Sequence, residues 1–164
     1  MLVVSALVAT GIFAGSAPAA RVGPVPASFS SNAVGVCRDL KSSLSSLPSA
    51  VRRVANKIPG HATKAEVRFF GNYLAVHEVP AFQRAAARLK ALGQPPTGRP
   101  VWSQFLLAFQ SWVAANTAMT RQLQNGNDRV YFGSAAMDDR NRAYRSASTS
   151  APRAGTTNCL AVIG

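Results

Sequence analysis

Carboxylates and histidines are scarce in this sequence, whose 164 residues include six Asp and Glu and two His. General acid–base catalysis and metal binding both depend on these side chains, so few combinations remain for either chemistry. The GxSxG motif of nucleophilic hydrolases and the glycine-rich P-loop are also missing. We therefore predict that the chain is not an enzyme, with no catalytic residue, no metal site and no cofactor.

Cysteine is equally rare, since Cys37 and Cys159 are the two in the chain. No CxxC or CxxCH motif is present, so thioredoxin-like chemistry and covalent haem attachment have no support. Two cysteines in an exported chain most often form one disulfide. We predict a Cys37–Cys159 bridge, which would contribute roughly 4–5 kcal/mol in the chain-entropy model.

The sequence has no long apolar run, but a short one stands at its N-terminus. Residues 2–14 are apolar or small, and a small-residue stretch ending at Ala20 follows. This layout is typical of a secretory signal peptide, here residues 1–20, with cleavage after Ala19 or Ala20. No Lys or Arg precedes Arg21, although such peptides normally begin with one. The alternative is a membrane anchor retained through residues 2–14, which is shorter than the roughly 20 residues of a spanning helix.

Two further boundaries follow from composition. Residues 21–32 contain Gly23, Pro24 and Pro26 and predict a flexible leader. Residues 33–164 then form a single domain, secreted or held in the extracytoplasmic envelope. No Cys stands near the predicted cleavage point, which argues against a lipoprotein.

Apolar residues recur at helical spacing through most of this domain, with no strand alternation. The strongest stripe begins after Pro100 and includes Phe105, Phe109 and Trp112. Predicted helices cover 33–47, 48–58, 63–93, 100–124 and, weakly, 128–147, with 148–158 as a loop and 159–163 as an apolar tail. Thr63 and Glu66 fit a capping box, and Pro80 should kink its helix or begin a new one. The fold is predicted to be all-α, an antiparallel bundle of four to five helices whose first helix is tied to the C-terminus.

The order of these features resembles small exported actinobacterial helical proteins of unknown function. The shared features are an early helical Cys37, an Ala- and Arg-rich helix from Ala85 to Pro96, an aromatic helix from Trp102 to Trp112, and a late Asn158–Cys159. The resemblance implies a helical fold and export, and it implies no catalytic residue. The chain lacks the lipobox that some similar proteins carry.

The charge balance is the strongest functional feature. Lys and Arg number 18, and the net charge is +12. Such a field attracts polyanions, here anionic envelope components, although no specific nucleic-acid motif is present. Arg52, Arg53 and Lys57 are the candidate binding residues, because they lie outside the apolar stripe of one short helix. The alternative is a solvated basic surface without a dedicated partner. Other basic groups are Arg38 with Lys41, Arg84 with Arg88, and Arg129, Arg140, Arg142 and Arg145.

We therefore predict a non-catalytic exported helical module that acts by binding in the cell envelope. The alternative is an envelope enzyme or metal-dependent protein that uses His77 and Glu78, with His61 and Glu66 nearby in sequence. Adjacent residues on a helix point about 100° apart, and there is no ExxH or HExxH motif. We therefore expect one partly buried and one surface histidine.

Overall fold

The computed structural model describes residues 23–44 and 47–163, with the side chains of 161–163 left out of the description. The predicted signal peptide and residues 21 and 22 of the predicted leader lie outside this range. The described residues form helices and contain no strand. Their bounds are α1 Ala27–Leu44, α2 Ser49–Ala55, α3 Lys64–Tyr73, a π-helical turn Leu74–Glu78, α4 Val79–Ala91, α5 Arg99–Gln124, a 3-10 turn Asp128–Tyr131, α6 Ala135–Ala154 and α7 Thr157–Ile163.

The aromatic helix α5 is the centre of the bundle and packs against α3, α4 and α6. Its predicted inner face is confirmed, because Trp102, Phe105, Phe109 and Trp112 are all buried. Trp102 donates its indole N–H to the carbonyl of Gly93 at 2.9 Å, so burial leaves this polar group paired. The all-α class and the helical bundle are thus confirmed.

Helix α6 runs through Ala154 and α7 begins at Thr157, so the prediction of a loop over 148–158 is wrong except at residues 155 and 156. Its buried face consists of alanine and serine rather than large apolar residues. Small side chains let two helix axes approach closely, and on α5 the buried Ala108 and Ala115 lie at the boundary with α6. The helix ends at Gly155, whose φ of +70° suits a left-handed cap. The buried residues of α6 are Ala143, Ala147, Ser150, Ala151 and Ala154.

The prediction of a leader without structure is wrong for residues 27–32, because α1 begins at Ala27. Pro26 pre-sets the backbone, and its carbonyl accepts the first helical hydrogen bond from the Ser30 N–H at 3.0 Å. The Ser30 hydroxyl donates to the carbonyl of Ala154 at 2.9 Å, and Phe29 packs edge-on against Trp102. Tertiary contacts to α5 and α6 therefore order this stretch.

The predicted disulfide is confirmed, and it joins α1 to the C-terminal segment. Cys37 and Cys159 are both buried, and their Cα atoms lie 5.1 Å apart. The predicted apolar tail over 159–163, with Cys159, forms helix α7 together with Thr157 and Asn158. The bridge closes a sequence separation of 122 residues and fixes α7 against α1.

The helical run from Lys64 to Ala91 confirms the capping box and shows how Pro80 is accommodated. The Thr63 hydroxyl accepts from the Glu66 N–H, and the Glu66 carboxylate accepts from the Thr63 N–H. Pro80 has no N–H to donate to the carbonyl four residues earlier. The chain passes through a π-helical turn before it and continues as α4, with Pro80 in the first turn.

Candidate binding surface

Basic side chains cover the surface of the bundle. Lys57 and Arg140 are the two Lys or Arg side chains, among the residues that the structure describes, that are not exposed. Three ion pairs engage carboxylates in this part of the chain: Lys57–Glu66, Arg88–Asp39 and Arg142–Asp139. The last two are solvent-exposed and contribute little to the free energy of folding. Most of the positive charge therefore faces solvent without a neighbouring carboxylate.

The predicted residues Arg52, Arg53 and Lys57 do lie together, but they differ in availability. Arg52 and Arg53 are exposed on α2, and the Arg52 guanidinium makes a long contact of 3.4 Å to the Leu47 carbonyl. Lys57 is bound to the Glu66 carboxylate. The Lys57 ammonium and the two hydrogen bonds from Thr63 lower the pKa of Glu66 to about 2. Lys57 is therefore neutralised by a carboxylate of α3, whereas Arg52 and Arg53 have no carboxylate partner among the described residues.

A second feature was not predicted from sequence and lies next to this group. The N–H of Gly60 donates to the Asp128 carboxylate at 3.0 Å, which joins the α2–α3 turn to the 3-10 turn. A recess of about 550 Å³ at this junction is lined by Gly60, Ala62, Asp128, Arg129 and Phe132. Phe132 is 64% exposed. We call these five residues the Phe132 recess.

The backbone around Phe132 is held firmly on both sides. Val130, two residues earlier, is buried in the smaller core cluster beneath α3. The Ser134 hydroxyl donates to the Val130 carbonyl at 2.7 Å and accepts from the Met137 N–H to cap α6. Gly133 lies between them with a φ of +69°. The signal in the sequence was the apolar triplet Val130-Tyr131-Phe132. In the structure Val130 is buried, Tyr131 is half-buried and Phe132 is exposed.

The late basic group is split between surface and interior. Arg142 pairs with Asp139 at 3.2 Å, and Arg145 is exposed. Arg140 is half-buried, with its guanidinium 6.0 Å from the ring centre of Trp112. Burial and the charge of Glu78 raise the pKa of Tyr131, while Arg140 opposes that rise. Arg140 is therefore partly engaged inside the bundle.

The alternative catalytic pair does not converge. His77 is exposed and its ring packs on Tyr73 at 4.6 Å, whereas Glu78 is half-buried and burial raises its pKa. Glu66 is occupied by Lys57 and the capping box. His61 is exposed in the α2–α3 turn, so both histidines are exposed and the expectation of one partly buried histidine is wrong. Within residues 23–44 and 47–163, no three His, Cys, Asp or Glu side chains are grouped as a metal site would need. The use of His77 and Glu78 in chemistry remains a hypothesis.

A groove of about 550 Å³ between α5 and α6 is the other notable concavity. Its walls are mainly alanine, and Leu107 on its edge is 65% exposed. The exposed Asp139–Arg142 pair lies on the opposite wall. The remaining polar side chains of its lining are the neutral Gln104, Ser111 and Ser146.

The disulfide is typical of proteins that fold in an oxidising, extracytoplasmic compartment. Among the helices that the structure describes, none is long and apolar enough to cross a bilayer. Comparison of the chain with protein-family models, with curated proteins and with solved structures found no match.

Proposed function

We propose that this chain is an exported, non-catalytic helical module that binds anionic components of the cell envelope through its basic surface. One observation carries the proposal: nearly every described Lys and Arg is exposed, and only Lys57, Arg88 and Arg142 have a carboxylate partner there. Unpaired surface cations raise the local concentration of polyanions and release their counterions on binding.

The composition of the buried core supports placing the binding site on the surface. Three large aromatic side chains of α5 are fully buried in the core and are not exposed to a ligand: Trp102, Phe105 and Phe109. The disulfide stabilises the fold outside a reducing compartment, where wall polymers and lipid headgroups are the available polyanions. Binding without chemistry is therefore the function that agrees best with the arrangement of charge.

A salt series tests the proposal directly. Inorganic polyphosphate serves as a soluble polyanion, and its affinity for the protein is measured by titration at increasing salt. We expect log affinity to fall linearly with log salt, as it does when phosphates are neutralised by Lys and Arg. Absence of binding even at low salt would overturn the proposal.

Export is tested separately. The intact mass of the protein recovered from outside its native cell should correspond to a chain that begins at Ala20 or Arg21, because cleavage is predicted after Ala19 or Ala20. A mass that includes Met1 would reject cleavage and favour an anchor through residues 2–14.

A further inference from the structure

We infer that the Phe132 recess docks the protein on an anionic bilayer, with the Phe132 ring inserted among the lipids and the nearby Arg129 and Lys64 on their phosphates. This inference rests on the proposed function and names its partner. It begins with the exposure of Phe132, since a large aromatic side chain 64% open to water has a free-energy cost that an apolar partner removes.

The exposure of Phe132 is built into the fold. The preceding Val130 is buried in the core, Asp128 is hydrogen-bonded to Gly60, and Ser134 secures the following turn. A backbone that is already fixed loses little conformational entropy when its side chain inserts. The exposure of the ring therefore follows from the fixed backbone on both sides of it and not from a loosely packed loop.

The charge around the ring selects an anionic surface. Arg129 lines the same recess, and Lys64 packs beside Gly126, two residues before Asp128. Asp128 is engaged by the Gly60 N–H and Glu66 by Lys57. The half-buried Glu78 lies close enough for its charge to act on Tyr131.

An apolar side chain with cations beside it is the combination that interfacial membrane binding uses. Affinity there depends on the apolar area that is buried and on attraction to anionic lipids, and each Lys or Arg near the surface adds to it. The groove at Leu107 has a similar exposed side chain, but an ion pair instead of free cations lies on its opposite wall. Charge therefore distinguishes the Phe132 recess from the exposed site at Leu107, while Val76 and Phe69 are the further exposed large apolar residues among those described.

Leu107 supplies the matched control, because it is 65% exposed and lies outside the core. Flotation with phosphatidylglycerol-containing vesicles would compare wild type, Phe132→Ser and Leu107→Ser. All three chains carry the same N-terminus, so residues 2–14 contribute equally where they are present. We expect Phe132→Ser to weaken binding about ten-fold and Leu107→Ser to leave it within about two-fold. Vesicles of phosphatidylcholine alone should bind the wild type weakly.

A spectroscopic test reports insertion itself. Both native tryptophans, Trp102 and Trp112, are buried, so a tryptophan at position 132 adds a new exposed emitter. Lipids with brominated acyl chains should quench Phe132→Trp on binding and leave Leu107→Trp unquenched. Unquenched emission from Phe132→Trp, or equal vesicle binding by Phe132→Ser and wild type, would overturn the inference.

Polyphosphate separates the two proposals. If Phe132→Ser binds polyphosphate as wild type does but loses vesicle binding, both proposals are supported. If the wild type binds polyphosphate and Phe132→Ser binds vesicles as tightly as the wild type does, the proposed function stands and membrane docking fails. Absence of binding to both polyanions would overturn both.

Discussion

Gly71 of α3 lies directly against the backbone of Gln124 in α5, where a Cβ on the glycine would stand 2.4 Å from the Gln124 amide nitrogen. This contact sets how closely α3 approaches the central helix. Phe69, two residues earlier, lies on the outer face of α3. Backbone atoms cannot move aside as a flexible side chain can, so the position requires glycine.

Gly71→Ala should therefore destabilise the domain by about 1–3 kcal/mol through overpacking. Gly35 in α1 is the control, because a Cβ there meets no atom within 4 Å. Gly35→Ala should be neutral or stabilise by up to about 1 kcal/mol, since alanine loses less backbone entropy in a helix. Urea unfolding of both variants measures the difference, and equal stabilities would mean that α3 does not approach α5 so closely.

Phe109→Ala should remove about 3–5 kcal/mol of stability, because Phe109 is fully buried between Phe105 and Trp112. Phe69→Ala, on a ring that is 47% exposed, should cost about 1 kcal/mol or less. Thermal unfolding by circular dichroism compares the two. A melting temperature of Phe109→Ala within a few degrees of wild type would place this face of α5 outside the core.

Reduction should lower the melting temperature of the wild type substantially, since the Cys37–Cys159 bridge closes a separation of 122 residues. A loop of this size corresponds to about 4–5 kcal/mol in the chain-entropy model. The Cys37→Ala/Cys159→Ala variant should melt near the reduced wild type and show no response to reductant. Non-reducing peptide mapping should find the two cysteines linked, and two free thiols in the exported protein would contradict the bridge.

The two glutamates at opposite ends of the α3–π run should affect stability with opposite signs. Glu66 has a folded pKa of about 2, below its ordinary 4.5, so it stabilises the fold above about pH 4.5 and loses that contribution as the pH falls toward 2. Glu66→Gln should therefore lower the melting temperature at about pH 7, with a difference from wild type that shrinks on acidification.

Burial raises the pKa of Glu78, so ionisation of this group opposes folding once the pH exceeds its ordinary 4.5. Below that pH the carboxyl is protonated in both states and the penalty vanishes. Glu78→Gln should melt above wild type at about pH 7 and together with it at about pH 3. A destabilising Glu78→Gln at neutral pH would instead point to a role for the charged carboxylate.

Arg52→Ala/Arg53→Ala should lose only part of the polyphosphate affinity, since the positive charge is spread over the whole surface. Arg38→Ala/Lys41→Ala removes the same charge from an exposed part of α1 and should lose a similar part. Titrations at low and near-physiological salt, about 0.15 M, compare the pairs. Micromolar binding at the higher salt that only the Arg52/Arg53 variant abolishes would instead identify a dedicated site on α2.

The sequence by itself determined the helices whose burial requires large apolar side chains. The spacing of Trp102, Phe105, Phe109 and Trp112 predicted a helix directly, because bulky apolar residues that recur about every 3.6 positions form one buried face of a helix. The capping box was also readable, since it is made by residues three apart in the chain. The Cys37–Cys159 pair followed from there being no other partner.

Tertiary structure decided the elements whose stability comes from distant partners. Residues 27–32 are helical because Phe29 meets Trp102 and Ser30 meets Ala154, and neither contact is visible in local composition. The last turns of α6 were missed because alanine gives a weak periodic pattern, although it allows close approach to α5. The Phe132 recess depends on the hydrogen bond between Gly60 and Asp128, which are 68 residues apart. Only folding brings such residues together, so the charge could be counted in advance while its position around an exposed aromatic ring could not.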